Sequence, residues 1–138
     1  HLLAAGYDKT GQWDLAQVCN HLAAWFRYQM DGFPKAPLPL RVTFWMVRNT
    51  IGRRLGRKMF AGGQMKPGLP TAPQAVYQPG GDDAKAVAEF RETIARWQAH
   101  PEPLKPSPVF GQMTKDQYRK GHLIHTAHHL SFLVPRGS

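Results

Sequence analysis

Near its C-terminus the chain reads TKDQYRKGHLIHTAHHL over residues 114–130, and this stretch holds four of the seven histidines. Thr114 and Gln117 are spaced as in a capping box, in which each side chain bonds the backbone N–H of the other residue. They predict a helix that begins here and runs to about Leu133. A helix returns to the same face every third or fourth residue, so the histidines can be sorted by direction.

Three of these histidines share one face of the predicted helix. With Tyr118 at zero on a helical wheel, His122, His125 and His129 fall within about 40° of it, whereas His128 points about 100° from the middle of this stripe and is not expected to be a ligand. A buried imidazole needs a hydrogen-bond partner or a metal ion. His125 and His129, four residues apart, offer two neutral ring nitrogens from one face, which is half of a transition-metal site.

Three other segments show helical periodicity. The first, residues 13–30, starts with a capping-box pattern at Asp14, the second spans residues 40–60, and the third, residues 82–99, is capped by Asp82. Each of these segments has a predicted buried stripe. In the first segment it is Val18, Leu22, Trp25 and Phe26, in the second Phe44, Val47, Ile51, Leu55 and Met59, and in the third Ala86, Phe90, Ile94 and Trp97. The last helix has a second predicted stripe, away from its histidines, formed by Leu123, Ala127, Leu130 and Val134. No strand is predicted, so the expected fold class is all-α with helices of bundle length.

Prolines and glycines divide these segments. Residues 35–39 are predicted to be extended, and residues 64–81 a long irregular connection, which is either functional or merely crosses the end of a bundle. The length predicts one domain, residues 1–133. Residues 134–138 belong to a thrombin-site sequence, LVPRGS, and are interpreted as an expression-tag remnant. Residues 2–5 are expected to be the last turn of an earlier helix, so a native start is expected to be missing.

The charge is strongly positive, with a net value of +9. No acidic residue lies between Asp31 and Asp82, whereas this stretch contains Lys35, Arg41, Arg48, Arg53, Arg54, Arg57, Lys58 and Lys66. Such a patch either binds nucleic acid, anionic lipid or a small anionic substrate, or is a solvated basic face. Nucleic acid is the least favoured partner because no known binding motif accompanies the charges.

The chain contains no run of about 18 apolar residues, so no membrane span is expected. Its single cysteine, Cys19, excludes an internal disulfide and fits a reducing, cytoplasmic location. Cys19 lies two residues from His21, on nearly the opposite side of the first helix. We therefore expect a small core residue there rather than a nucleophile.

A third metal ligand must come from elsewhere in the chain. His21 lies among apolar neighbours on the first predicted helix, and it can face His125 and His129 if the first and last helices pack together. Three histidine ligands leave a position for water or substrate, which is the arrangement of catalytic rather than structural sites. The alternative is a buried hydrogen-bonded network of histidines without a metal.

Two segments together are similar to the DinB/YfiT-like metalloenzyme superfamily: NHLA at residues 20–23 and HTAHH at residues 125–129. WDLAQVCNHLA at residues 13–23 and FGQMT at residues 110–114 resemble its uncharacterised branch, domain of unknown function 1569. The resemblance covers most of the chain and implies a DinB-like four-helix bundle. It also implies a divalent metal, most often nickel or zinc, on the ligands His21, His125 and His129. Many relatives continue with Arg-Gly-Gln where this chain has Leu-Ser-Phe at residues 130–132.

Characterised relatives in that superfamily act on low-molecular-weight thiols, namely bacillithiol, mycothiol or glutathione. The resemblance therefore implies a metal-dependent S-transferase or isomerase that joins a small thiol to an electrophilic substrate, and a homodimer. His122 and Tyr118 would support the ligands, and arginines of residues 41–58 would hold a carboxylate. The alternative is a non-catalytic helical bundle with a structural histidine network and a basic surface that binds an anion or a partner.

Overall fold

The computed structural model describes residues 1–52, 54, 56, 58, 62–63 and 73–137. Within these residues the fold is mostly helical, as the all-α prediction requires, with one small two-stranded sheet. The elements are α1 (Leu2–Ala5), β1 (Tyr7–Lys9), α2 (Leu15–Asp31), α3 (Leu38–Val47) with a π-helical turn at Arg48–Gly52, a 3-10 turn at Pro73–Ala75, α4 (Asp83–Ala99), α5 (Lys115–Leu130) and β2 (Leu133–Pro135).

Side-chain caps begin the three long helices where the sequence predicts them. Asp14 accepts from the Gln17 N–H at 2.8 Å, and the Gln17 side chain accepts from the Asp14 N–H at 3.0 Å. Thr114 and Gln117 form the same reciprocal pair at the start of α5. Asp82 accepts from the backbone N–H three residues later and starts α4. These bonds satisfy N–H groups that the first helical turn leaves without partners.

The core is built around α2, of whose 17 residues 12 are buried. One cluster joins Leu15, Ala16, Val18, Cys19 and Leu22 to Ala86 of α4 and to Leu133. The second joins Phe26 and Met30 to Trp97, Leu104, Met113 and Tyr118. A helix that is apolar on most of its circumference is a buried one, and α2 therefore lies between α4 and the other elements.

The last helix ends earlier than predicted, and a strand follows it. α5 stops at Leu130, and Leu133–Pro135 pairs antiparallel with Tyr7–Lys9, Leu133 lying opposite Lys9. The expectation of no strand was therefore wrong. The Phe132 carbonyl also accepts from the Thr10 N–H at 2.9 Å, which extends the pairing beyond the strand itself. Leu133 is buried in the core, so the turn after α5 brings an apolar side chain inward.

Two predicted buried stripes are not buried. On α5, Leu123 is 65% exposed and Ala127 is also exposed, so this helix has one buried side rather than two. No residue of Leu38–Val47 is buried, and Ile51 is 56% exposed. Apolar periodicity shows that one side of a helix is apolar, but it cannot show that a partner covers that side.

α3 begins at Leu38, two residues before the predicted start, since a proline at position 39 fits the first helical turn.

Several predictions concern residues outside the described part of the chain: Leu55 and Met59 of the second stripe, Arg53, Arg57 and Lys66 of the basic stretch, and residues 64–72 of the connection. Among the residues that are described, no helix is both long and apolar enough to cross a membrane.

Candidate metal centre

Three histidines from two helices converge in the structure. The Nε2 atoms of His21 on α2 and His125 on α5 lie 3.0 Å apart, and those of His125 and His129 are also 3.0 Å apart. One candidate ligand atom from each of the three residues lies within 4.8 Å of the other two. We call these three residues the histidine triad. Packing of α5 against α2 brings them together, as the predicted pairing of the first and last helices requires.

The backbone fixes the orientation of His21. Its side chain is only 2% exposed, and its Nδ1 lies 2.8 Å from the carbonyl oxygen of Ala75. A carbonyl can only accept, so Nδ1 carries the hydrogen and the neutral ring presents a bare lone pair at Nε2. Metal-binding histidines in proteins commonly make such a bond through the other ring nitrogen. Ala75 belongs to the 3-10 turn Pro73–Ala75 and is itself buried.

Two tryptophans enclose the triad. Trp13, just before α2, stacks on the His129 ring with 5.2 Å between centroids and 3° between planes. The edge of the same indole meets His21 at 4.9 Å. Trp25, one turn after His21 on α2, meets His125 edge-on at 5.9 Å. These contacts restrict the rings and keep water from much of their surface. Trp13 was not among the residues that the sequence predicted for the site.

Burial keeps the triad neutral. Loss of solvation lowers the pKa of His125 to about 2, and the neighbouring histidines lower it further. Burial lowers the pKa of His129 to about 4, again with a smaller effect from neighbouring histidines. The pKa of His21 is lowered by burial, partly opposed by the bond to Ala75. At neutral pH all three imidazoles are therefore uncharged, the form in which they bind metals.

Hydrogen bonds alone do not satisfy the three Nε2 atoms well. Because His21 presents a lone pair, only an N–H on His125 could bond it. That same hydrogen would also have to bond the lone pair of His129. If His129 donates its hydrogen to His125 instead, the lone pairs of His21 and His125 face each other at 3.0 Å. Among the described residues no carboxylate hydrogen-bonds these rings. A cation satisfies all three lone pairs at once.

The donor set fits a borderline-soft divalent ion. Imidazole nitrogens suit zinc, nickel or copper, whereas magnesium and calcium prefer oxygen ligands. Tetrahedral bonds of about 2.0–2.1 Å separate two ligand nitrogens by roughly 3.4 Å. The observed separations of 3.0 Å are slightly shorter than this value. A small rotation of the rings is enough to remove the difference. The three residues could therefore hold such an ion.

The two predicted supporting residues lie beside the triad but bond other groups. His122 is 6% exposed, stacks on Phe26 at 3.4 Å and lies 2.8 Å from Gln29 Oε1, which also accepts from Trp97 Nε1 at 2.9 Å. Burial lowers the pKa of His122 to about 3. Tyr118 donates to a backbone carbonyl in the loop before α5 at 2.7 Å, and burial raises its pKa to about 12.

Cys19 and His128 lie outside the triad. Cys19 is 3% exposed in the core, and burial raises the pKa of its thiol to about 11, which agrees with a core residue rather than a nucleophile. The His128 ring touches His129 at 5.2 Å, but its nitrogens do not join the three that converge.

Two arginines of the basic stretch line a groove on the α3 side of the molecule. Arg41 and Arg48 line a groove of about 510 Å³ together with Phe33 and Trp45. Phe33 is also a wall of a second, smaller cavity that reaches His125. The groove that holds the two arginines and the cavity that reaches His125 therefore share Phe33 as a wall.

These observations define a class: a mostly helical protein with a buried, neutral cluster of three histidines that could hold a metal ion. The chain belongs to a family described as protein of unknown function (DUF1569), whose model matches residues 1–136. No curated protein and no solved structure matches the chain.

Proposed function

We propose that the protein is a metal-dependent enzyme in which His21, His125 and His129 hold one divalent ion, nickel or zinc. The observation that carries this proposal is that the Nε2 atom of His125 lies 3.0 Å from those of His21 and His129, while the Ala75 carbonyl fixes the lone pair of His21. The proposal includes the DinB-like class, in which a helical bundle carries such a centre.

Three protein ligands leave room for a further ligand on the ion, which distinguishes catalytic from structural sites. When bound, the ion would act as a Lewis acid that lowers the pKa of a low-molecular-weight thiol. The proposed reaction is attack of that thiolate sulfur on an electrophilic carbon, after the thiol proton has passed to solvent. In an S-transferase the sulfur–carbon bond forms as the bond from that carbon to a leaving group breaks with its electron pair. In an isomerase the sulfur adds to a C=C bond, the π electrons move onto a conjugated acceptor, and the sulfur is expelled again after rotation about the carbon–carbon bond. Trp13 and Trp25 hold the ligand rings and limit the access of water.

The arginines of the groove, Arg41 and Arg48, would bind a carboxylate of the thiol or of the substrate. Guanidinium groups bind carboxylates through two parallel hydrogen bonds, so they can orient an anionic molecule as well as attract it. The apolar ring of Phe33, shared by the groove and the cavity beside His125, supports this arrangement.

The test is metal binding by the purified protein after removal of all metal. Calorimetric titration with zinc and with nickel should show about one site per chain. His21→Ala and His129→Ala should each weaken metal binding by at least about a hundredfold. Loss of a residue that only orients a metal ligand already costs about 10–100-fold in affinity, so loss of a ligand itself should cost at least the upper value. His128→Ala, one residue from a proposed ligand, is the matched control and should bind as the natural chain does. Absence of binding at millimolar metal would disprove the centre.

The second candidate is a non-catalytic helical bundle with a structural histidine network and a basic surface for an anion or a partner. It is favoured by the bonds among His122, Gln29 and Trp97, which are buried and involve no ion. His125→Ala separates the two candidates. Loss of metal binding with folding retained supports the enzyme, whereas loss of stability in a chain that never bound metal supports the network.

A further inference from the structure

A cavity of about 220 Å³ lies between α2, α5 and the loop that precedes α5. Its walls are mainly aromatic or apolar, from Trp25, Phe33, Phe110, Met113 and Tyr118. The ring of His125 forms part of its lining, so the cavity reaches the histidine triad. None of its lining side chains carries a charge within the described part of the chain.

Most polar groups around the cavity are already engaged. The Gln29 oxygen accepts from Trp97 and lies 2.8 Å from the His122 ring nitrogen. The Tyr118 hydroxyl donates to a carbonyl at 2.7 Å. The hydroxyl oxygen of Ser107 accepts from two backbone N–H groups at 3.1 and 3.3 Å. These groups therefore support the walls of the cavity more than they attract a polar ligand.

Trp25 is different. Among the described residues, its indole nitrogen is the one buried side-chain nitrogen or oxygen atom that has no hydrogen-bond partner. An unpaired buried donor is unfavourable, and such groups in native proteins call for an explanation, one of which is a missing ligand. Trp25 lies between the cavity, of which it is a wall, and the triad, whose His125 it touches at 5.9 Å.

We propose that this cavity binds an uncharged aromatic group carrying one hydrogen-bond acceptor, such as an aryl carbonyl, with the acceptor bonded to the indole N–H of Trp25. The size supports a ring with a small substituent, because a dry apolar cavity of about 150 Å³ accommodates benzene. The aromatic walls favour an aromatic ligand, and the absence of charged groups disfavours an ionised one.

If the ligand is the electrophilic end of the substrate, the proposed function gains a substrate class, and this identification rests on that function. An aryl carbonyl in the cavity would lie beside the triad, while any carboxylate elsewhere on the molecule would remain outside the cavity. Occupation of the cavity by an aromatic group does not itself depend on a metal.

The experiment compares three probes on metal-free and zinc-loaded protein: acetophenone, its near-isostere α-methylstyrene without the acceptor, and benzoate. Titration is followed by NMR of the tryptophan indole N–H groups, with Trp25→Phe used for assignment. Acetophenone should shift the Trp25 signal and bind about tenfold more tightly than α-methylstyrene, the ratio for one hydrogen bond. Benzoate should bind more weakly than either.

Trp25→Phe should remove the preference for acetophenone over α-methylstyrene. Trp45→Phe is the matched control, because Trp45 is 60% exposed on α3 and should change neither. Equal binding of the two isosteres, or an unmoved Trp25 signal in the natural chain, would overturn the proposal even if Trp25→Phe failed to fold. Zinc binding without probe binding refutes only the cavity proposal, whereas probe binding without zinc binding refutes only the metal centre.

Discussion

Replacement of Gln29 by methionine tests the buried network beside the triad. Gln29 Oε1 accepts from Trp97 Nε1 at 2.9 Å and lies 2.8 Å from His122 Nε2. An amide oxygen can only accept, so the hydrogen in the second bond belongs to His122. Methionine keeps a similar length and volume but removes the acceptor, and both donors then remain buried without a partner.

The magnitude follows from the cost of a buried donor without a partner. Each such group costs about 1–3 kcal/mol, so Gln29→Met should lower the free energy of unfolding by about 2–6 kcal/mol. A domain of this size is stable by about 5–15 kcal/mol in total, so the variant should be near the limit of folding. Zinc binding should change by less than about tenfold where the variant folds, because Gln29 does not hydrogen-bond the triad.

The assay is equilibrium unfolding in urea, monitored by tryptophan fluorescence and circular dichroism. The midpoint should fall with little change in the dependence on urea. Gln98→Met, at an exposed position of α4, is the control and should change stability by less than about 0.5 kcal/mol. The double variant Gln29→Met/His122→Phe should recover part of the loss, since one unpaired donor is then removed. A loss below about 1 kcal/mol for Gln29→Met would refute the assigned bonds.

Three further outcomes are expected. The metal-free protein should lose at least about 2.7 kcal/mol of stability per pH unit near pH 5. Burial holds the pKa of His122 near 3 and that of His125 near 2, while both titrate near 6.5 when unfolded, and the lowered pKa of His129 adds to the loss. Stability should be fully present above about pH 6.5, and urea midpoints that do not change between about pH 7 and 5 would contradict this. Gly52→Ala should lower the free energy of unfolding by about 2 kcal/mol or more, measured by thermal unfolding, because the new Cβ would lie 2.3 Å from a backbone carbonyl oxygen. Gly62→Ala, whose new Cβ would have no atom of a described residue within 4 Å, should cost nothing. Cys19, with its pKa near 11, should react with a thiol reagent at least about a hundredfold more slowly in the folded protein than in urea; equal rates would show that the thiol is accessible.

The parts of the fold that sequence predicts are the local ones. Capping boxes at Asp14 and Thr114 join residues three positions apart, so their pattern is visible in any short window. The pairing of Tyr7–Lys9 with Leu133–Pro135 is not visible in this way, because each strand has three residues and the whole domain separates them. A strand of three residues shows too few alternations to be distinguished from a turn.

The same limit applies to the site. His125 and His129 are related by helical spacing, which is local, whereas His21 becomes a neighbour only through the packing of α2 on α5. Periodicity identified His21 as an inward-facing residue but could not give its distance from the others. The Ala75 carbonyl has no sequence signature, since every residue has one. Trp13 could have been found from its position just before the α2 cap, where a side chain packs back on the helix.

The residues that cap α2, Asp14 and Gln17, also hold the segment that orients His21, one of the proposed metal ligands. The second oxygen of Asp14 accepts from the Gly80 N–H at 2.8 Å. The side-chain amide of Gln17 donates to the Tyr77 carbonyl at 2.7 Å. Both side chains therefore use one group for the capping box and another for residues 77–80. The hydrogen bonds that start α2 and those that fix residues 77–80 therefore form one connected network.

Orientation of the His21 ring depends on that arrangement. The Ala75 carbonyl that sets its tautomer lies two residues before Tyr77, and the capping pair Asp14 and Gln17 supplies the side chains that hold residues 77–80. A change in the capping pair would therefore release the carbonyl as well as weaken the helix start. Without the carbonyl, the hydrogen of His21 could move to Nε2 and face His125, which removes the lone pair that a metal needs. The histidines alone are thus an incomplete description of the centre, because the backbone of residues 73–80 decides which nitrogen of His21 is available.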